Sequence, residues 1–330
     1  MIKFGTVAIL LASAGQGAPT AAPVAAPALP PGYHFIPEQI EYEWQQPDGN
    51  TVVIDAPKGL IVIDTGRSPK HVGKILDYAK SKKRPIAAII NTHWHLDHVT
   101  GNADIRAIYP AKVYASDGIE GALQSFLNGP RDRADKMLAD PAVVQGIKDQ
   151  ILRGRSRIDN PDTLRPTVVV TKTAPVAIAG RRLEVHLAKF AASEGDVWLY
   201  DPKTRIAVAG DLIVDILPYL DTACIDGWKK ALIEIERTPF TTVVPGHGAP
   251  MDRSRFNQWR TAFTNFVDCG QSTADMGKCI DGWISDAAPF IPKELENAVR
   301  EGAKFYIRER MRSSPEQQLK FCKTLRKASS

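Results

Sequence analysis

The sequence predicts an α/β fold, and three observations carry that prediction. Two β-branched runs near the start of the body form a hairpin. A helical segment then leads back into a strand, and a second block of strands follows before the chain turns helical. With 330 residues, 44% hydrophobic and 24% charged, the chain can bury one large domain with additions, or two domains.

The elements follow in chain order. Residues 1–17, "MIKFGTVAILLASAGQG", carry one lysine, an apolar run from Phe4 to Ala12, and small residues around Ala14. This is the pattern of a bacterial secretory signal peptide, with a buried first strand as the alternative. Residues 18–36 are rich in alanine and proline and read as a linker to a body that starts at residue 37. A periplasmic or secreted protein is therefore expected. No later run approaches the roughly 20 apolar residues of a membrane span.

"NTVVIDAP" (50–57) and "GLIVIDTG" (59–66) form the hairpin. In "PKHVGKILDYAKSK" (69–82), Val72, Ile75, Leu76 and Ala79 recur at helical spacing, and "PIAAIIN" (85–91) returns as a strand. "KVYAS" (112–116) is another strand, and residues 117–166 read as a helical insertion. Strands resume with "TVVVTKT", "RLEVHLAKF", "DVWLYDP" and "RIAVAGDLIV". A helix from about Gly227 to Arg237 leads to "FTTVVPGHG" (240–248); from Asp252 onward the pattern is helical, and residues 256–330 form a helical extension.

The net charge of +5 is mild, and the basic run "KFYIRERMR" (304–312) is interleaved with acid. It reads as a solvated helix face rather than a nucleic-acid or membrane patch. Cys224, Cys269, Cys279 and Cys322 form no CxxC motif. An oxidising compartment would let them pair, with Cys269 and Cys279 the first pair to consider; buried thiols are the alternative.

The stretch "NTHWHLDHVTGN" (91–102) places three of the seven histidines and an aspartate within six positions, at the end of a buried strand. Imidazole and carboxylate together hold a borderline divalent ion such as zinc in an open, catalytic site. If the strand continues, His93 and His95 point to the same side, and Asp97 and His98 follow as the chain turns.

"HWHLDH" resembles the HxHxDH signature of the metallo-β-lactamase superfamily. "IDTG" (63–66), "VAGD" (208–211) and "VVPGHG" (243–248) resemble further motifs of that family, in its order. The resemblance implies a four-layer αββα sandwich over residues 37–255, with the metal site along one edge. It implies that His93 and His95 are ligands of a first metal site, and that Asp97, His98 and His247 are ligands of a second. Asp211 would bridge the two, and Asp64 would support the ligands from outside.

One position departs from the family pattern. Counting back from Gly195–Asp196 puts Ala192 where the third first-site histidine belongs, and His186 reads as a sheet-face residue instead. The second site keeps two histidines and two aspartates, so one tightly bound Zn2+ at Asp97, His98, Asp211 and His247 is expected ahead of two.

The implied activity is a metal-dependent hydrolase acting on an ester, thioester, lactone or amide/lactam in a small molecule. Asp97, His93 and His95 are the expected catalytic residues. A metal-binding member with lost or attenuated catalysis is the first alternative, motivated by Ala192. A nuclease is the second, although nucleic acid is not the expected partner.

Overall fold

The computed structural model describes residues 26–40, 47–129 and 132–324. Its first sheet contains β1 (Tyr33–Ile36), β2 (Thr51–Ala56), β3 (Gly59–Ile63), β4 (Ile86–Ile90), β5 (Lys112–Ala115) and β6 (Val168–Val169), in that spatial order. β1, β2 and β3 pair antiparallel, whereas β3 through β6 run parallel. The parallel half needs crossovers, and the first is α1 (Pro69–Lys82). Ser68 caps α1 by accepting from the His71 N–H, and Pro69 stands in its first turn, where no hydrogen bond is lost.

α2 (Leu96–Val99) and α3 (Asn102–Ile108) lie between β4 and β5. The insertion between β5 and β6 consists mainly of α4 (Gly118–Gln124), α5 (Asp132–Ala139) and α6 (Gln145–Asp159). Salt bridges from Arg153 and Arg157 to Asp104 dock α6 against α3.

The second sheet has the order β12, β11, β10, β9, β8, β7, where β7 is Ala174–Ile178, β8 Arg181–Lys189, β9 Gly195–Asp201 and β10 Ile206–Val214. After α7 (Ile225–Arg237) come β11 (Thr242–His247) and β12 (Met251–Asp252). β10 and β11 are parallel; the other pairs are antiparallel. The extension supplies α8 (Arg253–Gln271), α9 (Met276–Asp286), α10 (Glu296–Tyr306) and α11 (Pro315–Gln318).

Residue alternation explains the layering. Ile61 and Ile63 of β3 join Val52 and Ile54 of β2 in a core shared with Val185, Leu199 and Val208 of the other sheet. Leu60 and Val62 point the opposite way, onto Val72, Ile75 and Ala79 of α1 and Ile105 of α3. The second sheet's outer face packs on Trp228 of α7 and on Trp259, Phe263, Trp283 and Val299 of α8, α9 and α10. The result is a helix–sheet–sheet–helix sandwich of two mixed sheets, the fold class expected from the sequence.

Two expectations are corrected. Tyr33–Ile36, placed at the end of the linker, is the edge strand β1. Its Tyr33 hydroxyl donates to Asp201 at 2.5 Å, and Arg181 also reaches that carboxylate, so side-chain pairing recruits the tail of a Pro-rich segment into the sheet. "TVVVTKT" contributes only two residues of edge pairing, and the neighbouring strand β7, masked in the sequence by Pro175, pairs with β8 instead. α8 starts at Arg253, where the helical pattern of the sequence begins, and Asp252 caps it by accepting from the Arg255 N–H.

All four cysteines are paired, as Cys224–Cys322 and Cys269–Cys279. Residues 1–17, assigned to the signal peptide, lie outside the described residues, as do residues 18–25 of the linker. No helix among the described residues is long and apolar enough to cross a membrane.

Candidate metal centre

The centre forms where strands from both sheets end. After β4 the chain leaves the sheet at Asn91 rather than continuing as a strand, and His95 directly precedes α2. His93 and His95 still converge, but through different ring nitrogens. Asp211 enters from β10, which is irregular against β11 between Val208 and Val214. Gly210 lies there at a φ of 55°, and a methyl on it would overlap Thr92. A methyl on Gly246 would overlap Asp211 Oδ1, so glycine at both positions lets the two sheets close around the carboxylate.

Asp211 lies between two groups of ligand-type atoms. Its Oδ2 faces His93 Nε2 at 3.5 Å and His95 Nδ1 at 3.9 Å. Its Oδ1 faces His98 Nε2 at 3.1 Å and His247 Nε2 at 3.6 Å. Asp97 Oδ2 approaches His247 Nε2 at 3.2 Å and His98 Nε2 at 3.6 Å. Among the described residues, His93, His95 and Asp211 form one group able to hold an ion, and Asp97, His98 and His247 form a second. All six residues named from the sequence are thus brought together.

Each imidazole is turned by a partner outside the cluster. Thr92 gives its hydroxyl proton to Asp64 Oδ2 at 2.7 Å, so at 3.0 Å it accepts from His93 Nδ1. Thr222 gives its proton to the Ala192 carbonyl at 3.0 Å and so accepts from His95 Nε2 at 2.9 Å. Asp64 accepts from His98 Nδ1 at 2.8 Å, and Glu38 from His247 Nδ1 at 2.9 Å. The four inward nitrogens are therefore Nε2 of His93, Nδ1 of His95, and Nε2 of His98 and His247.

These atoms suit a dication. His93 Nε2, His98 Nε2 and Asp211 Oδ1 are buried without any hydrogen-bond partner, a cost that ligation would remove. Electrostatics point the same way. Burial would lower the His98 imidazole, but the Asp211, Asp64 and Asp97 carboxylates outweigh it and hold it well above its ordinary value. Burial would likewise raise Asp211, yet His98, His93 and His247 hold it well below the carboxylate range. His93, with burial dominant and His98 adding repulsion, is pushed down to about 4. The cluster is built for positive charge at its centre, which protons or a metal ion can supply.

Ala192 is 1% exposed in the loop from β8 to β9, and its carbonyl, not its side chain, is what connects to His95 through Thr222. That loop is tied by Asp196, which accepts from the Ser193 N–H and hydroxyl and is pushed up to about 7 by burial. His186 stacks on Trp198 at 3.7 Å on the sheet face. Sequence reading missed Glu38 and Thr222. Each lies in a segment without a motif and more than 120 positions from its histidine, so only the fold joins them.

The family model of the metallo-beta-lactamase superfamily matches residues 45–247. A linear primary-alkylsulfatase from Pseudomonas sp. is 26% identical over 233 residues, covering 60% of this chain and 41% of its own length. A hydroxyacylglutathione hydrolase from Erythrobacter litoralis is 36% identical over 95 residues, 28% of this chain and 30% of the relative. The match therefore spans well under half the length of either relative. Among solved structures, a metallo-beta-lactamase from Pontibacter korlensis superposes with a TM-score of 0.52 at 20% identity, covering 73% of this chain and 99% of its own. A metallo-beta-lactamase family protein from Thermus thermophilus gives 0.56 at 15% identity over 86% and 95%.

Proposed function

The chain belongs to the metallo-beta-lactamase superfamily, and from that premise we propose that it is an exported hydrolase working with one tightly held Zn2+. The ion's ligands are Asp97, His98, Asp211 and His247. The observation that carries this reading is the convergence of four imidazoles on Asp211, each turned inward by its own outside partner. Zinc in such a site supplies Lewis acidity, which acidifies water and polarises the electrophile.

The chain's own groups have separate tasks. Asp97, whose Oδ1 lies 3.5 Å from Arg67, would help hold the ion and orient a nucleophilic water beside it. Arg67 puts a fixed positive charge beside the reacting centre, which favours substrates that carry or develop negative charge. His93 and His95, which face the other carboxylate oxygen of Asp211, hold a substrate oxygen, a weaker second ion, or a proton in transit.

The bond class is an ester, thioester, lactone or amide/lactam, and the alkylsulfatase relative adds sulfate esters to that set. Export is supported by the N-terminal pattern and by the pairing of all four cysteines. The reading is tested by metal analysis of the purified chain together with turnover of alkyl sulfate, thioester, lactone and lactam substrates. Zinc-dependent turnover of one class is the expected result. Tightly bound zinc with no turnover on any of them would leave the attenuated metal-binding protein as the reading.

A further inference from the structure

We propose that Thr222 is a positioning residue that selects the ligand nitrogen of His95, and that the C-terminal extension holds it in place. The inference rests on the metal-centre reading above. A hydroxyl has one proton, and Thr222 spends it on the Ala192 carbonyl at 3.0 Å. Toward His95 Nε2, 2.9 Å away, it can therefore act only as an acceptor. The ring proton is fixed on Nε2, and Nδ1 keeps its lone pair on the side where Asp211 Oδ2 lies at 3.9 Å. The two tautomers of a neutral imidazole differ little in energy by themselves, so one hydrogen bond decides between them. Thr222 is 2% exposed, which keeps water from replacing it.

The loop carrying Thr222 is clamped from behind by residues that touch no ligand. Arg310, in the turn that continues α10, donates from Nε to the Leu220 carbonyl at 2.9 Å and from Nη2 to the Ala223 carbonyl at 3.3 Å. The Tyr306 hydroxyl donates to Asp221 Oδ2 at 3.0 Å. Cys224 is bonded to Cys322, 98 positions away, and its N–H donates to the Ala191 carbonyl at 2.8 Å. The segment from Leu220 to Cys224 is thus fixed at four of its five residues by the extension, with Thr222 the residue that faces the centre.

The test compares wild type with Thr222→Val and Thr222→Ser as full chains. Long-range proton–nitrogen correlation of 15N-histidine-labelled, chelator-treated protein reads the His95 tautomer, and cobalt titration reads the two binding events. Wild type and T222S are expected to hold the proton on Nε2, with T222V mixed or moved to Nδ1. The weaker cobalt event should fall by about 10–100-fold in T222V while the tight one stays, since that is the usual loss on removing an outer partner of a ligand. Where wild type binds a single cobalt, the tautomer alone decides. T222V with the wild-type tautomer and wild-type cobalt binding overturns the inference and leaves the hydrolase reading standing. Wild type that binds no cobalt at all overturns both. Should T222V not fold, Arg310→Met carries the test: an altered tautomer or weakened second event supports the inference, and wild-type behaviour overturns it.

Discussion

The two halves of the metal centre share Asp211 but differ in what stands behind their histidines. His98 and His247 donate outward to the carboxylates of Asp64 and Glu38. His93 and His95 donate to the hydroxyls of Thr92 and Thr222. A carboxylate partner makes the opposite nitrogen more basic than a neutral hydroxyl does, so the first pair gives the stronger ligands. The stronger pair also has Asp97 as a further anionic ligand, whereas the weaker pair has no third imidazole. Outer partners and inner ligands alike support the proposal of a single tightly held ion.

The largest effect should come from the residue the halves share. Asp211→Ala is expected to take tight zinc from about one per chain to none, whereas His95→Ala keeps the tight ion and loses turnover. Elemental analysis after dialysis reads the difference, and equal loss in both variants would mean the halves are not distinct. Next is the clamp behind the weaker half. Cys322→Ser opens a 98-residue separation and should cost about 2–4 kcal/mol in denaturant unfolding of the zinc-free chain. An unchanged midpoint would show the extension to be incidental.

Glu38→Gln keeps the shape but removes the charge behind His247. It should weaken the tight ion by about 10–100-fold, while Thr222→Val leaves that ion nearly untouched. Competition with a chelator of known affinity ranks the two, and the reverse ranking would break the comparison. The smallest effect separates fold from site. Burial opposes ionisation of Asp201, but its hydrogen bond from Tyr33 and the Arg181 guanidinium hold it below the usual carboxylate value. A lowered folded pKa contributes stability above the unfolded value, near about 4, and loses it as pH falls further. Asp201→Asn should therefore lower stability at neutral pH and flatten the acid limb of the zinc-free chain. An acid limb as steep as wild type would assign that limb elsewhere.

The fold was legible where residue pattern and local chemistry agree. Pro69–Lys82 matched its helical spacing residue for residue, because Ser68 and Pro69 start it and Lys83 ends it in a left-handed turn. The six inward residues were equally visible, since each follows an apolar strand in a short motif. What the sequence hid was long-range. β1 is part of the sheet because Tyr33 finds Asp201, 168 positions away. Thr222 matters only because folding places a common hydroxyl between His95 and Ala192, and Glu38 only because it meets His247. No period or spacing encodes a contact of that kind.

The segment that matches the family, residues 45–247, is therefore not structurally self-contained. Glu38 lies upstream of it, and Arg310 and Cys322 lie well downstream, yet all three bond to residues inside it: the His247 ring, the Leu220 carbonyl and Cys224. A chain trimmed to that segment would retain every inward-facing ligand and lose the carboxylate behind His247. It would also free the loop beside His95 and bare the apolar outer face of the second sheet. Such a fragment would have the complete ligand inventory of the protein and a different affinity for its ion. For this fold, swapping or grafting domains at the family boundary would transfer the residues without the tuning.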